Sequence, residues 1–231
     1  MEFRANGFER FPALVREIAA AGHEVASHGY HHELLYTLTP EQFREDVRAS
    51  KGVLEQAAGA PVLGYRAPSF SMVESTLWAL DILVEEGYLY DASIFPIHHD
   101  RYGMPNAERH AHVLQQKAGS LVEMPGSTTT VGGVNVPVAG GGYFRLLPYA
   151  WTRWGIGRVN RREHKPVVFY FHPWEIDPDQ PRFAVGAATR FRHYTGLGRT
   201  RERLQRLMSE FRFTSIADVL DVRVNKSASH N

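Results

Sequence analysis

The stretch SHGYHH places His28 and His32 four residues apart, and two imidazoles at that spacing in a turn can face one point. Such a pair suits a divalent ion, zinc first with cobalt or nickel as alternatives, because neutral imidazole is a common ligand of all three. In a chain with 12 histidines the same spacing also fits a solvated loop rich in imidazole. Four apolar runs end in a residue capable of chemistry: EVAS runs into His28, VLGY into Arg66, YLY into Asp91 and VVFYF into His172. If these runs are strands of one parallel sheet or barrel, the four residues meet along its carboxyl rim, where sites are built.

The elements that must position them are readable in outline. Phe11, Leu14, Val15 and Ile18 recur at helical spacing, with Pro12 suited to a first turn and Gly22 to a stop. After the short strand EVASH, a second helix carries its own boundaries: Thr39 caps it, Pro40 opens it, Gln42 completes a capping box and Gly59 ends it. Phe43, Val47, Leu54 and Ala58 form its buried stripe. VLGYR, STLWALDILVEEG and YLYD then read as strand, helix and strand. This alternation predicts an α/β domain over 1–222 with parallel pairing. The segment at about 97–148 reads as an irregular insertion, with one strand at SLVEMP and a cluster at Gly140, Gly141 and Gly142. LPYAWTRWGIGRVNRRE predicts a helix, PVVFYF a strand buried on both faces, and Leu204, Leu207, Met208 and Phe211 a last helix. The tail 223–231 reads as disordered.

Bulk properties exclude several classes. The chain of 231 residues has no cysteine, so it has no disulfide frame, thiol nucleophile or Cys-ligated zinc. A formal charge of +1 argues against a nucleic-acid surface, although seven arginines face only Glu202 between Arg182 and Arg206. A solvated helix face and loop accounts for that run, and an acidic polymer is its other reading. No apolar run reaches the ~20 residues of a membrane-spanning helix. MEFRANGFERFP lacks the apolar core of a signal peptide, and the expected location is cytoplasmic.

Five motifs in order, SHGYHH, GYRAPSF, YDASIFP, GGGYFRLLP and FYFHPWEIDPDQPR, resemble the polysaccharide deacetylase family, chitin-deacetylase-like. More narrowly they resemble the branch encoded beside bacterial exopolysaccharide and exosortase loci. The resemblance implies an irregular (β/α) barrel and metal-dependent removal of acetyl groups from N-acetylated sugars of a polysaccharide or oligosaccharide. It assigns His28 and His32 as metal ligands and His172 as the general acid. It gives Arg66 the task of orienting a catalytic aspartate, and Asp91 that of orienting or tuning His172. Tyr143, Phe144 and Trp174 would stack on saccharide rings, and Tyr170 stands at the acetyl pocket. The family also carries an early strand ending in two aspartates, one the base and one the third ligand. This sequence has no adjacent aspartate pair, so the first strands of the barrel are expected to be missing and an in-frame extension upstream of Met1 to encode them. The alternative is a catalytically dead carbohydrate-binding protein of the same fold. Oligomeric state is left open.

Overall fold

The computed structural model describes residues 2–3, 11–99 and 102–222. It divides into two compact units, Met1–Gly126 with Ser215–Asn231, and Ser127–Thr214. The expected tail at 223–231 lies outside the described residues.

The first unit is a six-stranded sheet in the order β1-β2-β3-β4-β6-β5. Its strands are β1 (Glu2–Phe3), β2 (Ala26–Ser27), β3 (Gly64–Tyr65), β4 (Tyr90–Asp91), β5 (His112–Gln116) and β6 (Gly119–Glu123). All neighbours pair in parallel except β5, which returns antiparallel on β6. Three helices cross between the parallel strands: α1 (Pro12–Ala20), α2 (Pro40–Ala58) and α3 (Ala79–Glu85). Thr39 and Gln42 close the capping box on α2 as the sequence predicts. The apolar stripe of α2 seats Phe43, Val47 and Leu54 against Tyr65, Tyr88 and Leu121, all buried.

One expectation, that the chain opens on a helix with no strand before it, is corrected here. One strand, β1, does precede the first helix and pairs in register with β2, Glu2 opposite Ala26 and Phe3 opposite Ser27. A two-residue strand shows no period-2 pattern, so MEFRAN gives no sign of it. The described strands also form a sheet with β1 and β5 at its ends, and no closed barrel is seen among the described residues.

The second unit holds β7 (Thr128–Val131), β8 (Val134–Pro137), α4 (Gly141–Leu146), α5 (Tyr149–Arg158), α6 (Ala187–Tyr194) and α7 (Leu197–Glu210). In the first unit a last short helix, α8 (Ile216–Leu220), is capped by Ser215. The expected irregular insertion thus contains two hairpins, β5–β6 and β7–β8. The second turns on Gly132 and Gly133, both at positive φ (57° and 82°), as a tight two-residue hairpin requires. PVVFYF is not a strand: Val168 N–H donates to the Ser127 hydroxyl at 2.8 Å and the Tyr170 carbonyl accepts from Gly141 N–H at 2.8 Å, while Phe171 is exposed. These single bonds hold the segment without a ladder. In α7, Leu207 is buried but Met208 faces solvent. Within the arginine run, Arg203 points inward and donates to the carbonyls of Phe144, Arg145 and Leu147. Arg206 pairs with Glu210 at 2.8 Å. No described helix is long and apolar enough to cross a membrane.

Candidate active site

In the first unit the sheet register puts Ser27 beside Tyr65, Tyr65 beside Asp91 and Asp91 beside Glu123. His28, Arg66, Asp91 and Glu123 therefore follow one another along the carboxyl ends of β2, β3, β4 and β6. Three of these are predicted from the sequence. Glu123 is an addition, and its signal is the same one: a charged residue closing the apolar run of SLVEMP.

Backbone and side chains tie this rim together. Arg66 N–H donates to the Ser27 carbonyl at 2.9 Å, and His28 Nδ1 lies 2.6 Å from the Arg66 carbonyl. A carbonyl only accepts, so the bond fixes the proton on Nδ1 and the lone pair on Nε2, the usual arrangement of a metal-ligating histidine. The His32 ring stands edge-on to His28 with centroids 4.9 Å apart. His32 occupies positive φ (63°), a conformation that turns the chain back so soon after His28.

The loop that carries both histidines is pinned from below by Asp46, a buried carboxylate in the middle of α2. It accepts Tyr30 N–H at 2.8 Å, His31 N–H at 2.9 Å and faces His31 Nδ1 at 3.0 Å. Gly29 runs so close over it that a Cβ would lie 2.9 Å from Asp46 Oδ2, and its φ of 78° also calls for glycine. Ser27 and Ser50 share a buried hydroxyl bond of 2.7 Å beside it. Asp46 lies on the same buried helix face as Phe43, Val47 and Ser50.

Arg66 is buried, donates from Nε to the Ala92 carbonyl at 3.0 Å and lies over the Phe70 ring at 5.6 Å. Asp91 Oδ1 accepts the Ser93 hydroxyl, whose oxygen in turn accepts Ala67 N–H at 2.7 Å. Glu123 Oε1 accepts Ile94 N–H at 3.0 Å. Burial pushes the Asp91 carboxyl up to about 6. Burial, and then the charge of Asp91, raises Glu123 well above the ordinary carboxylate range. The remaining oxygens, Asp91 Oδ2 and Glu123 Oε2, are buried without another hydrogen-bond partner, as two carboxyl groups sharing one proton would be.

The second unit holds the other predicted residues. His172 is more than half exposed, and its backbone N–H donates to Glu175 Oε2 at 2.8 Å. The same oxygen lies 3.5 Å from His172 Nδ1. Glu175 Oε1 pairs with Arg145 Nε at 2.6 Å, both side chains almost fully buried. Arg145 spends its other donors on the carbonyls of Arg192, His193 and Thr195. Burial works to raise the Glu175 carboxyl, but bonds from His172 and Arg145 outweigh it and hold it below the ordinary range. Trp174 is half-buried, stacked on His193 at 4.2 Å and facing His172 at 5.6 Å. Tyr170 meets His172 edge-on at 6.4 Å, and Tyr143 is half-buried. Phe144 is corrected as a sugar platform: it is 1% exposed and packs edge-on against Phe169, so it has no face to offer a saccharide.

The donor chemistry of His28 and His32 suits a divalent metal. Among the described residues, no group of three or more His, Cys, Asp or Glu is placed to hold one.

Comparison with known proteins gives matches along both halves of the chain. A family model described as a domain of unknown function (DUF3473) matches residues 92–221, and one described as polysaccharide deacetylase matches residues 4–84. The peptidoglycan deacetylase-like protein FGM2 of Gibberella zeae is 32% identical over 89 residues, 38% of this chain and 25% of that protein. A peptidoglycan deacetylase of Helicobacter pylori is 30% identical over 95 residues, 41% of this chain and 31% of that protein. The chain thus spans about a quarter to a third of the curated relatives it matches. These names support the polysaccharide deacetylase family for the amino-terminal part. Among solved structures, a Mycobacterium smegmatis protein assigned to the polysaccharide deacetylases matches with a TM-score of 0.55 at 22% identity, over 92% of this chain and 72% of that one. Puue allantoinase matches with a TM-score of 0.63 at 16% identity, over 96% and 66%. At such identity the two likenesses establish the α/β fold alone.

Proposed function

The chain belongs to the family described as a domain of unknown function (DUF3473), and from the deacetylase-like segment that precedes that match we propose that it hydrolyses the acetamide of N-acetylated sugars in a polysaccharide, releasing acetate. The observation that carries this reading is the rim itself. The segment matched to polysaccharide deacetylases contains His28, His32 and Arg66, and a hydrogen bond joins His28 to the Arg66 backbone.

A divalent metal, zinc in the first instance, would be held by His28 and His32 and would polarise the acetamide carbonyl when bound. These two imidazoles fit the ion in kind but fall short of the three or more protein ligands usual for zinc. The chain's own residues do the rest. His172 passes a proton to the leaving amine, without which nitrogen is a poor leaving group. Arg66, held by Ala92 and Phe70, presents a fixed positive charge at the sheet rim. Trp174, Tyr143 and Tyr170 supply the faces and hydroxyls that grip a pyranose ring. The substrate we favour is a bacterial exopolysaccharide containing N-acetylhexosamine, met in the cytoplasm.

The test is acetate release from N-acetylglucosamine oligomers by the purified chain with added Zn²⁺, beside His172→Ala. Loss of a general acid costs ~10²–10⁴-fold in rate. Full activity in His172→Ala would overturn the assignment. Oligomer binding with no acetate release by the wild-type chain would point to a carbohydrate-binding protein instead.

A further inference from the structure

The resemblance gives Asp91 the task of orienting the acid histidine, and Asp91 itself meets Ser93 and Glu123. A carboxylate of the second unit stands beside His172: Glu175, three residues on and in the same turn. Building on the reading of His172 as the general acid, we infer that Glu175 is its positioning residue, keeping a proton on Nδ1 so that Nε2 carries the one passed to the amine.

The geometry supports this at each atom. Glu175 Oε2 already accepts the His172 backbone N–H at 2.8 Å, which sets the carboxylate against the base of the imidazole. From there Nδ1 is 3.5 Å away, longer than a hydrogen bond, and a small rotation of the exposed ring closes it. Catalytic bonds are often long before substrate binds. Glu175 cannot swing off to other partners. Its second oxygen is tied to Arg145 at 2.6 Å, and Arg145 is itself fixed by three carbonyls. The buried arginine also keeps Glu175 ionised, so it accepts and does not donate. Trp174, 5.6 Å from the His172 ring and inclined only 24° to it, limits the ring's rotation on one face.

The consequence for the reaction is specific. The oxygen of water bonds to the acetyl carbon and its protons pass to solvent, the C–N bond breaks, the leaving nitrogen takes the proton on Nε2, and acetate departs. What remains is the neutral imidazole with its proton on Nδ1, the tautomer that a carboxylate at Nδ1 favours. A free imidazole side chain prefers the opposite tautomer, with the proton on Nε2. The carboxylate therefore favours the product state of the histidine.

The test reads the tautomer directly, from the ¹⁵N shifts of the His172 ring in the full chain at a pH where the ring is neutral. The expected wild-type result is Nδ1–H, with Glu175→Gln shifting the population toward Nε2–H. Predominant Nε2–H in the wild type would overturn the proposal, whether or not the variant folds. So would an unchanged tautomer in a folded Glu175→Gln protein. Glu175→Asp keeps the charge and should retain part of the Nδ1–H population. In the acetate assay Glu175→Gln should lower kcat by less than the ~10²–10⁴-fold of losing the acid itself, with KM little changed. If the wild type releases no acetate while the tautomer behaves as expected, the deacetylase reading fails and the positioning of His172 by Glu175 stands.

Discussion

Asp91 and Glu123 lie side by side on neighbouring parallel strands with both carboxyl groups fully buried, so the two cannot both be charged at low cost. Burial raises both carboxyls, and the charge of Asp91 raises Glu123 further, so the pair holds a proton where ordinary carboxylates are already ionised. Stability follows from the sign of these shifts. A carboxyl whose folded value is raised binds more protons folded than unfolded, from the ordinary value of 3.8 up through about 6 for Asp91. Across that window its contribution falls as pH rises. Glu123→Gln removes one of the two raised groups and can donate an amide hydrogen to Asp91. It should gain stability relative to wild type as pH goes from about 4 to about 7, read from urea unfolding at several pH values. Parallel curves for the two proteins would sink the shared-proton account.

Asp46 gives a second expectation. Asp46→Ala leaves the N–H groups of Tyr30 and His31 without their acceptor under a tightly turned loop. These donors are part-buried, so the loss is at most the ~1–3 kcal/mol of a fully buried unsatisfied donor, and the unfolding midpoint should drop. Asp46→Asn retains one accepting oxygen and should lose less. An unchanged midpoint in Asp46→Ala would mean that the loop holds itself.

How far the sequence reached is clearest along this rim. Thr39, Pro40 and Gln42 are local signals that need no tertiary context, and α2 begins where they say. His28, Arg66 and Asp91 were legible because each closes an apolar run and the strands pair in parallel. Glu123 obeyed the same rule but lay in a segment read as irregular, so its register beside Asp91 was invisible. Asp46 and Glu175 were missed for another reason: a lone acid on a helix or in a turn acquires its meaning only from burial and from the N–H groups it meets. PVVFYF failed in the opposite direction. Its apolar run has the composition of a central strand, but its recorded bonds go to Ser127 and Gly141 and build no ladder.

The histidine pair predicts metal behaviour that activity does not have to report. Calorimetry with Zn²⁺ should show weak binding to the wild-type chain and at least a tenfold loss, about 1.4 kcal/mol, in the His28→Ala/His32→Ala double variant. His172→Ala should bind Zn²⁺ like wild type. Equal affinity in the double variant would place any metal elsewhere.

Arg145 and Glu175 yield the last expectation, on the stability of the second unit. Both side chains are almost fully buried, at 4% and 2% exposure, and the guanidinium serves one carboxylate and three carbonyls. Removing one member of such a pair leaves the other charged and buried, which costs ~3–5 kcal/mol. Arg145→Met should therefore destabilise strongly, and three carbonyls lose their donor as well. Arg145→Lys keeps the charge but not the planar fork, so it should recover only part of the loss. In Arg145→Met/Glu175→Met no buried charge is left over, and its loss should fall well short of the two single losses added together. Urea unfolding of the four proteins closes this cycle. Additive losses would show that the two residues act independently, and that Arg145 matters for the carbonyls it gathers and not for the carboxylate beside His172.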